Sequence, residues 1–456
     1  MRELLSDVAE RASRYLDEIQ QRQVAPLAEG VEGLKAFREP FPAGPTPAED
    51  VVATLDRLGS PATMAMAGPR FFGWVIGGSL PAALAANWLA GAWDQNAGLF
   101  VSTPIATVLE EVTLEWVADA LGLPAGCGGG FVTGATAANF TALAAARYEV
   151  LRRAGWDVGE KGLFGAPEIQ VVVGEEAHPS VFKSLGLLGL GRERVVKVPV
   201  DLQGKMRAEA LPALEGPTIV CVQAGNVNTG AFDPVRGICA RAHAAGAWVH
   251  VDGAFGLWAA ASPRFAHLVS GAAEADSWAT DAHKWLNVPY DSGLALVRDP
   301  ETLRAAMGLT AAYLPQGEHR EPSQYVPELS RRARGVEIWA AMKSLGRNGL
   351  AELVERCCDC ARRFAEGLAA AGFEVLNDVV LNQVLVSFGD PDVTQRVIAG
   401  VVEDGTCWVG GTVWQGRTAM RISVSSWATT EADVDRSVAA MVGVARGEAQ
   451  RAGGRS

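Results

Sequence analysis

The chain has 456 residues, 49% hydrophobic and 20% charged, with a net charge of −12 at pH 7. That size and balance exclude wholesale disorder and allow a large core without disulfide or metal staples. The acidic charge, with no Lys/Arg run able to track a phosphate backbone, argues against nucleic-acid binding. In chain order, Leu4, Leu5, Val8, Ala12, Leu16 and Ile19 recur at helical spacing, and residues 38–48 carry four prolines that read as an extended connector. Residues 1–50 are therefore expected to form a helical arm. From Phe71 to Trp93 no residue is charged, a length that could span a bilayer. Gly73, Gly77, Gly78, Pro81, Asn87 and Gly91 interrupt it, so a buried loop and helix is the better reading, and no membrane partner is expected.

Between about 118 and 297 the pattern alternates helix with short apolar strand. Strands are predicted at 169–173, 218–222, 247–251 and 293–297, with helices at 137–153 and 235–245. Near-continuous apolar strands alternating with helices imply an α/β fold whose mostly parallel sheet is covered on both faces, a large domain at 51–330. Helices are predicted from 335 towards 345, at 350–371, 392–402 and 430–446, with strands at 374–376, 383–388 and 420–424. They describe a smaller C-terminal α+β domain at 331–456, ending in a polar tail from Arg451. The cysteines at 127, 221, 239, 357, 358, 360 and 407 show neither a paired framework nor zinc spacing, so no metal is expected. With no signal peptide at the start, the expected location is a reducing cytoplasm.

Ligands of an open parallel sheet lie beyond the carboxyl ends of its strands, and four places there carry chemistry. Gly128–Thr136, a Gly/Thr-rich turn opening a helix, offers free N–H groups, a hydroxyl and the positive dipole end to a phosphate. It has neither the P-loop lysine nor a dinucleotide fingerprint, and a plain tight turn is the alternative. His178 follows the strand at 169–173 and is either catalytic or a satisfied structural histidine. Asp252 closes the strand at 247–251, where a buried carboxylate needs donors or a cation; it either caps the next turn or partners a ligand's positive charge. Lys284, between His283 and Trp285, is placed to be desolvated, and a desolvated amine forms Schiff bases. Together, in that order, a phosphate cradle, a stacking imidazole, a carboxylate for a pyridinium and a Schiff-base lysine are what pyridoxal 5'-phosphate requires.

On these residues the sequence resembles the group II pyridoxal-phosphate-dependent amino-acid decarboxylases, glutamate and aromatic-amino-acid decarboxylases among them, of the aspartate-aminotransferase fold (fold type I). The matching segments are Pro69–Gly73, 128–147, Ala177–Ser180, Asn228–Pro234, His250–Ala254, His283–Trp285 and 329–350. The resemblance implies that Lys284 carries the cofactor, His178 stacks on its ring and Asp252 pairs with its nitrogen. Gly134, Ala135 and Thr136 would hold the phosphate with His283 adjacent, and Asn226 and Asn228 would border ring and substrate. It also implies an intertwined homodimer whose loops complete each other's sites.

The implied reaction is α-decarboxylation of an L-amino acid, with Tyr325 or His178 protonating Cα. Phe71, Phe72, Trp74 and Trp93 would contact the substrate side chain and favour an aromatic or apolar one, although Arg70 could bind an acid. Arg421 sits where aminotransferases of this fold bind a carboxylate, which keeps aminotransfer, retro-aldol cleavage or aldehyde-forming deamination open; its other reading is a structural ion pair. A non-catalytic dimer is the third reading. Two departures stand out. Asp281 replaces a neutral amide near the phosphate and is not expected to bind it directly. The loop from Tyr313 to Leu329 is shorter than in animal aromatic decarboxylases.

Overall fold

A computed structural model describes residues 1–308 and 319–453. The loop expected from Tyr313 therefore begins outside the described residues, as does the end of the polar tail. Seven strands form one sheet: β1 (Gly128–Val132), β2 (Gln170–Gly174), β3 (Val196–Val198), β4 (Thr218–Gln223), β5 (Trp248–Asp252), β6 (Ser277–Asp281) and β7 (Gly293–Val297). Their order is β1-β7-β6-β5-β4-β2-β3. All run one way except β7, which pairs antiparallel with both β6 and β1. Alternate residues of one strand bury on opposite faces: Val171, Val173, Ile219 and Cys221 join Leu143 and Leu185. Val172, Val220 and Val222 join Ile238, Ile338 and Leu353 on the other. That two-sided burial is why the strands read as continuous apolar runs.

The sequence reading placed the strands at 170, 218, 248 and 293 within a residue or so of their starts, but took 128–132 for a turn. It is a strand because its glycines let the chain lie flush on its neighbours. A Cβ at Gly129 would fall 2.0 Å from the carbonyl oxygen of Ala295, and one at Gly130 2.4 Å from Val326. β3 and β6 were also missed; β3 is only three residues long, and β6 (Ser277–Asp281) neither alternates nor forms a continuous apolar run.

Four further strands, β8 (Glu374–Val375), β9 (Gln383–Ser387), β10 (Gly410–Trp414) and β11 (Arg417–Ser423), form an antiparallel sheet ordered β10-β11-β9-β8. The helix Gly335–Ala370 breaks at Gly346, which has φ 59° and ψ −175°, close to where two helices were expected. The uncharged run resolves into a buried loop followed by the helix Pro81–Trp93. Among the described residues no helix is long and apolar enough to cross a membrane.

That loop is wedged between the two sheets. The amide of Phe72 donates to the carbonyl of Trp408 (2.9 Å), and the amide of Ser423 donates to the carbonyl of Phe72 (2.9 Å). Gly77 is pressed on the segment that carries Lys284, so a Cβ there would lie 1.8 Å from the Lys284 carbonyl oxygen. Gly77→Ala is therefore expected to cost about 1–3 kcal/mol by overpacking, read as a lower urea midpoint at unchanged m-value.

Candidate active site

Four strand ends and one strand of the small sheet converge on a cavity of about 210 Å³, lined by Trp74, His178, Gln223, Gly225, Val227, Asp252, Ala254, Phe255, Lys284 and Arg421. Larger clefts exist, including one of about 650 Å³ beside Gly346, but chemistry rather than volume marks the site. Lys284, His178 and Asp252, read separately from the sequence, share one wall.

Asp252 ends β5 and is buried. Its Oδ1 accepts the Ala254 amide (3.3 Å) and its Oδ2 accepts the side-chain amide of Asn139 (3.2 Å). Asn139, on the helix Ala135–Arg153, orders a longer chain of donors. Trp248 Nε1–H donates to Ser277 Oγ (2.8 Å), which faces His250 Nδ1 (2.9 Å), while His250 Nε2 lies 2.8 Å from Asn139 Oδ1. Burial lowers the His250 pKa to about 3. The neutral ring then carries its proton on Nε2, since an amide oxygen only accepts, and this fixes Asn139 with its NH₂ towards Asp252 and Ser180. Sequence reasoning missed Asn139. The available signal was one amide in an otherwise Ala-rich helix facing strand ends.

His178 caps the helix Pro179–Leu187. Its Nδ1 accepts the Ser180 amide (3.2 Å) and lies 2.8 Å from the Ser180 hydroxyl, which leaves Nε2 to carry the proton in the neutral ring. Burial lowers its pKa, opposed by the charge of Asp252. Lys284 Nζ pairs with Asp281 Oδ2 at 3.0 Å. Asp281 closes β6 with its side chain 2% exposed, and its Oδ1 has no hydrogen-bond partner.

The helix Ala135–Arg153 starts without a side-chain cap, so the first-turn amides at Ala135 and Thr136 face outward with the helix dipole behind them. Gly134 precedes them. A Cβ there would meet His283 Cε1 at 3.0 Å and Asp281 Oδ1 at 3.4 Å. Uncapped amides, a glycine cradle and the partnerless buried hydroxyl of Ser292 fit an anionic group seated on this turn, whereas the unpartnered Asp281 oxygen beside it opposes one.

Other expectations are redistributed. Arg421, on β11, has no carboxylate within ion-pair distance among the described residues, so the structural-pair reading fails. Its nearest polar partner is Asn228 Oδ1 at 3.5 Å, an atom that also accepts the Thr412 hydroxyl at 3.0 Å. Burial lowers the Arg421 pKa. Asn228 thus steadies Arg421 rather than lining the cavity. Asn226 shapes its own loop, accepting the amides of Asn228 (2.8 Å) and Thr229 (3.2 Å). Phe72 does not face the cavity: it lies edge-on to Phe364, with ring centroids 4.9 Å apart, in the large core. Phe71 stacks on Trp408 behind the wall. Arg70 is consumed by the carbonyls of Thr406 and Gln20 and by Asp433.

Trp93 ends the helix Pro81–Trp93 half exposed and outside the cavity lining of this chain. Tyr325 also lies outside it, packed on the hydrophobic cluster of Leu143 and Leu185 with Arg320 3.7 Å over its ring. Trp74 does reach the cavity. It and Val75 take left-handed backbone angles (φ 48° and 61°), costing about 1–3 kcal/mol each, and its ring tilts against Trp408 at 4.3 Å.

A lysine, an imidazole and a carboxylate beside an anion-holding helix start define a pyridoxal-phosphate enzyme of fold type I. The family model for the pyridoxal-dependent decarboxylase conserved domain matches residues 33–389, and the chain belongs to that family. It is 29% identical to tryptophan decarboxylase 1 of Oryza sativa subsp. japonica over 79% of this chain and 77% of the relative. It is 32% identical to an acidic amino acid decarboxylase of Bos taurus over 68% of this chain and 61% of the relative. A crystal structure of the Oryza sativa enzyme with pyridoxal phosphate and tryptamine superposes with a TM-score of 0.89 at 24% identity, covering 98% of this chain and 97% of that one. The protein is a pyridoxal-phosphate-dependent amino-acid decarboxylase.

Two measurements probe the buried network. The folded His250 titrates far below its unfolded value, so unfolding takes up a proton whenever the pH is under the unfolded pKa near 6.5. Its contribution is full above that value and shrinks as the pH falls towards 3, by up to about 1.4 kcal/mol per pH unit. Urea titrations between pH 7 and 5 should show that loss, and His250→Asn should flatten it. Asn139→Ala leaves Asp252 and His250 short of a partner each and should cost about 2–6 kcal/mol, on the order of 1–3 per orphaned group, with a matching fall in cofactor retention.

Proposed function

We propose that the substrate is an aromatic L-amino acid, decarboxylated to its amine and carbon dioxide. The observation that carries this is the assignment of cations. Lys284 and Arg421 are the two cationic side chains lining the cavity; the first is needed for the cofactor and the second for the α-carboxylate. Arg70, the residue that could have favoured an acidic side chain, has its donors engaged within the fold. What remains for the substrate side chain is uncharged and mainly apolar: Trp74, Val227 and Phe255, with Gln223, whose Oε1 is engaged by the Asn226 side-chain amide.

When bound, the cofactor supplies an aldehyde that captures the substrate amine and a ring that takes up the electron pair left as carbon dioxide departs. The protein's part is positional and electrostatic. Lys284 would hold the cofactor through its amine and give that position up to the substrate amine. Asp252, oriented by Asn139, holds a proton at the pyridine nitrogen. The amides of Ala135 and Thr136, with Gly134 and His283 beside them, receive the phosphate. Arg421 orients the α-carboxylate, and His178 Nε2–H is placed to return a proton to Cα. Tyr325 does not reach the cavity within its own chain, so that role falls to His178.

The helix Pro81–Trp93 exposes Trp88, Leu89 and Trp93, and Leu5 and Leu16 are exposed on the N-terminal helix. Apolar surface of that kind supports a homodimer, testable by light scattering at twice the chain mass. Seven unpaired cysteines, six of them buried, support a reducing compartment such as the cytoplasm.

The deciding experiment supplies the holoenzyme with aromatic, acidic, basic and hydroxy L-amino acids and identifies products by mass spectrometry, with Lys284→Ala as control. Tryptophan, tyrosine or phenylalanine should exceed glutamate and aspartate by at least about 100-fold in kcat/KM, roughly 2.7 kcal/mol in transition-state binding. Trp74→Ala should raise KM for the aromatic substrate more than it lowers kcat. Preference for an acidic substrate overturns the reading; an aldehyde in place of the amine would point to oxidative deamination.

A further inference from the structure

Asp281 is the least expected residue of the site. Its carboxylate is buried at the end of β6, with Oδ2 3.0 Å from Lys284 Nζ and Oδ1 without a hydrogen bond. Oδ1 faces the turn at Gly134, where an added Cβ would sit 3.4 Å away. A phosphate received by the amides at Ala135 and Thr136 therefore lies against an acid. At the same time Lys284, the one ammonium paired with Asp281 among the described residues, is taken by the cofactor's aldehyde.

The surrounding groups offer no replacement cation. His283 Nε2 stands 3.6 Å from Oδ1, too far for a hydrogen bond. Its Nδ1 accepts the Ser292 amide at 3.1 Å, so protonating this ring would break that bond, and burial lowers its pKa. Tyr290 stacks on His283, with centroids 4.3 Å apart. Asp291, beyond it, is held by Arg334 at 2.9 Å. Across β5 stands Asp252, a second acid; His178 heads the helix Pro179–Leu187, and Arg421 approaches from β11 on the side assigned to substrate. No titratable residue lies in the first turn of the helix Ala135–Arg153. A like charge brought against a buried carboxylate favours its protonated form.

We infer that cofactor binding draws one proton from solvent into the contact between Asp281 Oδ1 and the phosphate. The acid then acts as a donor to a phosphate oxygen, in the place where relatives were expected to carry an amide. In the ligand-free chain the same residue is the counter-ion that holds Lys284. One side chain thus exchanges an ammonium for a proton as the site fills, and cofactor affinity is coupled to pH through the phosphate end. This inference rests on placing the phosphate at Gly134–Thr136.

The test compares pyridoxal 5'-phosphate with pyridoxal, which shares the aldehyde and the ring, so that contributions of Lys284 and Asp252 cancel between them. Calorimetric titration of the apo wild type at pH 8, in buffers of different ionisation enthalpy, counts the protons exchanged. Free phosphate there is a dianion, its second pKa being about 6. The phosphorylated ligand should take up about one proton more than pyridoxal. Its affinity relative to pyridoxal should fall about tenfold per pH unit between pH 7 and 9. Asp281→Asn, an amide donor that needs no proton, should abolish both the excess and the slope. An excess of zero in the wild type overturns the inference whether or not the variant folds, and an excess that persists in Asp281→Asn overturns it as well. Gly134→Ala separates the two levels. A selective loss of affinity for the phosphorylated ligand upholds the placement even if the proton is absent, whereas equal effects on both ligands overturn the placement and the inference with it.

Discussion

Two aspartates end neighbouring strands of the sheet, and their burial requires partners for both. Asp252 obtains them from a fixed line of donors running through Asn139, His250, Ser277 and Trp248. Among the described residues Asp281 pairs with the lysine of its own loop through Oδ2, and its Oδ1, 3.6 Å from His283 Nε2, has no hydrogen bond. A buried carboxylate is tolerable only when paired or hydrogen-bonded, so these two arrangements set what can bind between them. On the proposed reading the first would accept a proton-bearing ring nitrogen and the second would border the phosphate.

The scaffold that keeps this pair in register is the reversal at β7. With β7 antiparallel to β6, the loop joining them carries Lys284 back over the strand ends. The glycine strand β1 then seats against β7 and delivers the turn at Gly134 next to it. The glycine run that resembles a simple phosphate turn is therefore two devices in succession: a flush-packed edge strand followed by the uncapped helix start proposed to hold the phosphate.

Selectivity has a different origin from chemistry. The cofactor set comes from residues at the ends of strands in one sheet. The proposed substrate wall adds the wedge loop and the small sheet to Val227 and Phe255, with Trp74 set on Trp408 and Arg421 reaching across from β11. The strained backbone at Trp74 and Val75 is held by packing on both sides, which is how a strained residue persists at a functional surface.

By itself the sequence determined four strands of the large sheet and the cofactor, because these depend on local signals: apolar runs of strand length, and polar residues one step past their ends; the reaction class came with the resemblance those residues carry. Lys284, His178 and Asp252 were legible for that reason, and β1 was not, since glycines carry no hydrophobic period. Tertiary structure alone decided which neighbouring residues of the wedge loop serve the site. Phe72 turns into the core, Arg70 is spent on carbonyls and Asp433, and Trp74 remains at the cavity. It also decided that Asn139 orders the buried network and that Arg421 lacks a carboxylate partner. Burial and hydrogen-bond satisfaction are set by elements far apart in the chain, and no local pattern records them.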